Sequence, residues 1–211
     1  MRALLVVAAV AVCAVPVVSR QTTLRPVLSE SRGFADWDLE GNGAWRITGD
    51  ALVLYDAGVP GGPIRKPGAM AILKSAPLVD FTLEVDVRST APADLAVRDV
   101  LLIFGYQSPT RFYYVHLSAR TDDVHNGIFL VHDADRRRLD PPTSRAPLTD
   151  QAWHRVRLVR HATAGDVRVF FGDDPAPVLS ATDRTITSGR VGVGSFDETA
   201  EFRNLALNSG V

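Results

Sequence analysis

The sequence predicts an all-β protein: a sandwich or jelly roll of two antiparallel sheets with about a dozen strands. Three observations carry that reading. From Phe34 onward the dominant hydrophobic period is two, the mark of strands with one buried face. Turn signals rich in Gly, Asp and Ser recur at hairpin spacing, at 48–50, 163–166, 172–175 and 187–189. No ten-residue window combines a helical period with capping residues.

The elements follow in chain order. Segments 44–48 and 51–55 flank the Thr48-Gly49-Asp50 turn as a hairpin, and 70–74 follows a Pro-rich loop at 56–67. Segment 81–88 alternates most strictly. Phe81, Leu83, Val85 and Val87 point one way; Thr82, Glu84, Asp86 and Arg88 point the other. Segment 100–104, Val-Leu-Leu-Ile-Phe, is apolar on both faces and reads as a central strand. Segments 111–119 and 127–132 pair across the loop 120–126. A register summing to 245 sets Val115 opposite Leu130 and Leu117 opposite Ile128, an aliphatic face suited to the core.

The other face of that hairpin carries Phe112, Tyr114, His116, Phe129, Val131 and Asp133. Two readings stand: the floor of a groove that stacks on sugar rings, or a second buried layer whose polar atoms are hydrogen-bonded. Segments 153–160, 166–171, 177–181, 190–195 and 201–208 complete the set. A second Pro-rich loop lies at 140–147, and both long loops are expected at one rim of a single domain spanning 34–211. Residues 20–33 read as a loose lead-in.

Residues 1–19 are a separate object. Met1-Arg2 is followed by a run, Ala3 to Val18, broken only by Pro16, and then Ser19. The run is short of the ~20 residues that span a bilayer, so a cleaved secretory signal peptide is expected in place of an anchor. Cys13, the single cysteine, lies inside it, and no small residue directly precedes it as a lipoprotein signal requires. The mature chain would then be cysteine-free, excluding disulfides, thiolate metal sites and thiol chemistry. A bacterial periplasmic or secreted location is expected, with no membrane association after cleavage. The net charge of -1 argues against nucleic-acid and polybasic membrane partners. A monomer is expected.

The Trp153-His-Arg-Val-Arg-Leu-Val-Arg160 strand, the extended 167–171 and the Gly189-Arg-Val-Gly-Val-Gly-Ser-Phe196 segment together resemble the C-terminal half of a concanavalin-A-like jelly roll. The ending Glu201-Phe-Arg-Asn-Leu-Ala-Leu207 resembles a bacterial secreted family named for 3-keto-disaccharide hydrolases, related in fold to laminarinase-type glycoside hydrolases. Trp45–Leu54 and Asp80–Arg88 fit the same pattern, and the resemblance covers about residues 34–208. It implies a carbohydrate ligand.

The departures bear on activity. The Asn-Ser-Gly segment common in the hydrolase family is absent from 91–98. Laminarinase-type enzymes carry Glu-x-Asp-x-Glu on one strand face; here the run is Glu84-Val-Asp86-Val-Arg88. A retaining mechanism needs two carboxyls ~5–5.5 Å apart, and Arg88 supplies no acid. A solvated strand face with local ion pairs is the competing reading of this run. The resemblance also implies a structural calcium ion in many members; Arg203 stands where an Asp is common, so Asp197 (or Glu198) is the metal candidate, the alternative being no cofactor. Five scattered histidines lack metal-ligand spacing.

The leading expectation is therefore an exported carbohydrate-recognition or carbohydrate-processing domain. Its groove would be floored by Tyr114, His116 and Phe129 and by Glu84, Asp86 and Arg88. Arg155 and Arg157, alternate on their strand, would reach hydroxyl or carboxylate groups of a sugar acid, and Trp153 would be a groove residue or a core anchor. If the domain is catalytic, it is a glycoside hydrolase of the 3-keto-disaccharide type, with Glu84, Asp86 and His116 as candidates. A structural or adhesion module is the third class, and a fully packed groove face would favour it.

Overall fold

The computed structural model describes residues 22–209; the leader at 1–19 and Cys13 lie outside the described residues. There are fifteen strands: β1 (Thr22–Leu24), β2 (Trp37–Gly41), β3 (Ala44–Thr48), β4 (Ala51–Asp56), β5 (Ala69–Leu73), β6 (Phe81–Ser89), β7 (Asp99–Ser108), β8 (Arg111–Ser118), β9 (Gly127–His132), β10 (Arg137–Arg138), β11 (His154–His161), β12 (Asp166–Phe171), β13 (Leu179–Thr182), β14 (Arg190–Ser195) and β15 (Ala200–Ser209). No helix is assigned among the described residues.

Two antiparallel sheets result. One runs β13-β12-β11-β6-β15-β4-β3, with β1 added to β15 as its eighth strand; the other runs β10-β9-β8-β7-β14-β5-β2. Burial along β6 alternates as the sequence requires, with Phe81, Leu83, Val85 and Val87 buried and the intervening residues half-buried. These pack with Val156, Leu158 and Val169 against Val100, Leu102, Phe104, Val115, Ile128 and Val193 of the other sheet. Each fully buried aliphatic chain contributes roughly 1.5–3 kcal/mol, and such a core needs no disulfide at this chain length.

The hairpin register differs from expectation by two residues. Val115 pairs with Ile128, and Tyr113 with Leu130. A slip of two leaves every side chain on its own face, so the hydrophobic pattern cannot distinguish the two registers. The turn decides. Asp122 accepts the backbone N–H groups of Val124 and His125 at 2.9 Å, and Asn126 is buried at φ 47°. Three strands were not anticipated. β1 is short and wholly exposed; β2 is an edge strand ending on Gly41; β10 has two residues. β1 lies within the expected lead-in and pairs with β15, Thr22 opposite Ser209.

Candidate functional site

The seven-stranded sheet buries both faces. Val100, Leu102 and Phe104 of β7 face the inter-sheet core, whereas Leu101 and Ile103 join Tyr114, Phe129 and Phe196 in a second apolar layer on the outer face. The hairpin face with two readings is thus the buried layer: Phe112, Tyr114 and Val131 are fully buried, and His116 and Phe129 are 1% exposed. As an open groove floor it is corrected. Tyr114 and Phe129 stack at 5.1 Å and 16°.

What covers the layer is a strap. The loop at 57–68 is anchored at one end of the sheet, where Gly68 N–H donates to the Phe196 carbonyl at 2.9 Å and its own carbonyl accepts from Asn42 at 3.2 Å. It crosses the face to the turn after β9. There the Arg65 N–H donates to Asp135 Oδ1 at 2.8 Å, and the Arg65 carbonyl accepts from Arg136 at 3.3 Å. Ile64 packs onto the layer. The Arg65 guanidinium lies 5.1 Å from the Phe196 ring centre; that of Arg136 lies 4.2 Å from Phe196 and 5.3 Å from Phe129. Arg136 Nη1 also donates to the Tyr114 hydroxyl at 3.1 Å.

Toward the anchored end the face turns polar. Buried Asp99 accepts from Ser195 Oγ at 2.5 Å and Phe196 N–H at 3.0 Å through Oδ1. Ser195 Oγ accepts from Glu198 N–H at 2.9 Å, so Asp99 shapes the turn that holds Asp197 and Glu198 at the rim. Asp99 Oδ2 lies 3.1 Å from His116 Nε2, within ion-pair range but off the hydrogen-bond line. His116 Nδ1 has no partner among the described residues. The His116 ring lies parallel to Phe196 at 6.1 Å and 5.6 Å from His125, whose Nδ1 meets Asp122 at 2.8 Å. Asp197 keeps an exposed edge, yet partial burial of its carboxyl and then the charge of Asp99 hold it above the ordinary carboxylate range. Glu198 is pushed up by burial and then by Asp197. Burial raises the Tyr114 hydroxyl, against the pull of Arg136 and Arg65.

The other candidates lie on the opposite sheet. Glu84, Asp86 and Arg88 on β6 share its outer face with Arg155 and Arg157 of β11. The structure therefore does not join them to Tyr114, His116 and Phe129 in one groove. Their face is an ion-pair lattice. Asp86 receives Arg155 Nε at 2.5 Å and Asn204 Nδ2 at 2.7 Å, with Arg203 Nε at 3.9 Å. Arg155 also lies 3.7 Å from Glu84, and Arg88 pairs with Glu201. Asn204 reaches Asp86 because it sits at φ 53° in an irregularity of β15. Arg157 stacks on Phe170 at 3.8 Å. Trp153 is half-buried outside the core, flanked by Arg88 at 4.8 Å and Arg203 at 4.2 Å, which corrects its reading as a core anchor.

Among the described residues, no group of three or more His, Cys, Asp or Glu is placed to hold a metal ion, at Asp197 or elsewhere. Sequence reasoning missed Arg65, Asp99, Arg136 and Phe196. Arg65 sits in an aperiodic loop and gives no signal. Asp99 was readable in principle, because pairing β7 with β8 brings Leu101 opposite His116 and Asp99 opposite Ser118.

No family model matches the chain, and no curated protein matches it. Solved structures do. Carbohydrate binding module CBM66 from Bacillus subtilis superposes with a TM-score of 0.65 at 18% identity, over 82% of this chain and 96% of the other. A winged bean acidic lectin complexed with methyl-α-D-galactose gives 0.55 at 14%, over 90% and 99%. Lectin I from Ulex europaeus, in complex with the methyl glycoside of α-L-fucose, gives 0.56 at 15%, over 90% and 97%. The fold is thus a jelly-roll sandwich of two antiparallel sheets, shared in outline with these proteins.

Proposed function

We propose that this chain is an exported carbohydrate-recognition domain whose ligand binds at the polar margin of the outer face of the seven-stranded sheet. The observation that carries the reading is the convergence, over one aromatic layer, of guanidinium donors (Arg65, Arg136) and carboxyl acceptors (Asp197, Glu198, on the turn after Ser195). Sugar hydroxyls both donate and accept, and a margin offering both matches them in a way that neither an apolar groove nor a single-sign patch would. That solved jelly rolls of this shape include a carbohydrate binding module and sugar-bound lectins supports the reading by analogy of fold. Export rests on the apolar segment from Ala3 to Val18.

The chemistry favours binding over glycoside hydrolysis. On the β6 face Glu84, Asp86 and Glu201 all have guanidinium partners, and Arg88 stands at the third position of the run. The packed aromatic layer specifically favours a second reading, a structural or adhesion module without a small ligand, because Tyr114 and Phe129 offer no open stacking surface.

A panel of neutral and acidic oligosaccharides, read by thermal shift and by product release, separates these. The expected result is a stabilising shift without turnover, weakened about tenfold in Asp197→Ala and unchanged in Glu84→Ala, the affinity ratio corresponding to about 1.4 kcal/mol. Absence of a shift with every glycan would overturn carbohydrate recognition in favour of the structural module. Product release that Glu84→Ala abolishes would restore the hydrolase.

A further inference from the structure

We infer that the saccharide carries an anionic group, a uronate carboxylate or a sulfate ester, and that Arg65 and Arg136 clasp it. This deepens the carbohydrate reading and rests on it.

Three guanidinium groups lie over the aromatic layer, and they differ in what they bind. Arg138, over Phe129, has all five N–H donors committed: Nε to the Asp140 carbonyl, Nη1 to the carbonyls of Asp122 and His125, and Nη2 to the Asn126 carbonyl and Asp140 Oδ2. It is a structural cation. Arg136 has one side-chain hydrogen bond, to the neutral Tyr114 hydroxyl, and Arg65 has none. Among the described residues neither guanidinium meets a carboxylate within ion-pair distance. Each acid nearby is otherwise engaged or held off. Asp135 accepts the Arg65 backbone N–H; Asp99 serves Ser195 and Phe196; Asp197 feels the Arg65 charge without contact.

Two guanidinium groups without a carboxylate partner thus gather on one ring, Phe196. Like charges gathered in this way repel, and an anion that binds both relieves that cost. Among the described residues Arg65 has every guanidinium N–H uncommitted, and Arg136 commits only Nη1, to Tyr114; the remaining donors are of the kind that a carboxylate or sulfate accepts in bidentate fashion. Their positions are set in advance, because the backbones of residues 65 and 136 are hydrogen-bonded to each other across the strap. A pair of cations discriminates charge on the ligand more than it discriminates ring type.

The sequence had assigned contact with a sugar acid to Arg155 and Arg157. Arg155 is neutralised by Asp86 on the opposite face, and the uncommitted pair lies here instead.

The test is calorimetric titration of the folded protein with three oligosaccharides of equal length: an oligogalacturonate, its neutral methyl ester, and a sulfated galactan. Binding of at least one anionic ligand about tenfold tighter than the ester is expected, weakening as salt rises. Arg65→Gln and Arg136→Gln should each weaken binding of the preferred anionic ligand by far more than binding of the ester, removing most of that preference. The carboxylate and sulfate arms identify the source of the charge. Arg65→Gln is the safer variant, since its side chain makes no hydrogen bond among the described residues whereas that of Arg136 holds the Tyr114 hydroxyl, and circular dichroism checks both. Equal affinity for the acid and its ester, or full preference in both variants, overturns the anionic clasp while carbohydrate recognition stands. Failure of all three ligands and of the wider glycan panel overturns both.

Discussion

At the scale of single residues, the buried and half-buried polar groups of this sandwich mainly fix loops. Asp183 is the clearest. It accepts from the Tyr113 hydroxyl at 2.5 Å, the Thr185 N–H at 2.8 Å and Arg137 Nη2 at 3.1 Å, tying the segment after β13 to β8 and to the β10 edge. Burial alone would raise its carboxyl, but the Tyr113 hydroxyl and the Thr185 and Arg137 contacts outweigh it and hold the group down at about 2. Burial and the same contact push Tyr113 up to about 12. A carboxyl depressed in the fold stabilises it at every pH above its ordinary value near 4, and that contribution fades as pH falls from about 4 to about 2. Asp122, held at about 2 against burial by His125 and the Val124 N–H, behaves alike. Asp183→Asn should therefore lose about 1 kcal/mol at pH 7, allowing for solvent screening, and should show a flatter decline of stability between pH 4 and 2 than the parent. Urea unfolding across that range measures both; parallel curves would show that Asp183 carries no such linkage.

At the scale of elements, β14 explains how the outer face is built. Val191 and Val193 point into the core, while Gly192 and Gly194 occupy the outer positions. A Cβ on Gly194 would stand 2.4 Å from the Ala69 carbonyl oxygen of β5, and one on Gly192 would stand 2.4 Å from that of Ala71. The alternation of valine and glycine is thus a requirement of close strand approach as well as of burial. Gly194→Ala should cost about 3 kcal/mol, because relief requires moving backbone in the sheet's centre. Denaturant titration checks this, and a loss under about 1 kcal/mol would contradict the close approach. The alternation here, like that of Phe81–Val87, was legible in the sequence because a half-buried strand writes its period into its residues. What escaped were features without a period: the two-residue slip of the β8–β9 register, the two-residue β10, and the strap that carries Arg65 across the face. Glu84, Asp86 and Arg88 were correctly seen as sharing a face. Which sheet that face belonged to depended on strand order, which alternation does not encode.

At the scale of the whole molecule, the chain moves repeatedly between sheets and closes late. β15 lies between β6 and β4, and β1 completes that sheet by pairing Thr22–Leu24 with Leu207–Ser209, almost the full described length apart. Closing so long a loop is entropically costly, and the three residues of β1 are exposed and repay little of that cost through burial. The β6–β15 and β7–β8 ladders, by contrast, bring together core residues such as Phe202 with Val87 and Leu102 with Val115. Folding should accordingly be slow, on the scale of milliseconds to seconds or longer, with β1 docking after the rate-limiting step. A protein beginning at residue 25 should then refold at the parent's rate and unfold a few-fold faster, with a net loss of about 1 kcal/mol. Stopped-flow measurement of both arms decides between that order and its reverse. If truncation slows refolding in proportion to the stability lost, the first and last strands meet early, and the sandwich is assembled from its closing ladder inward.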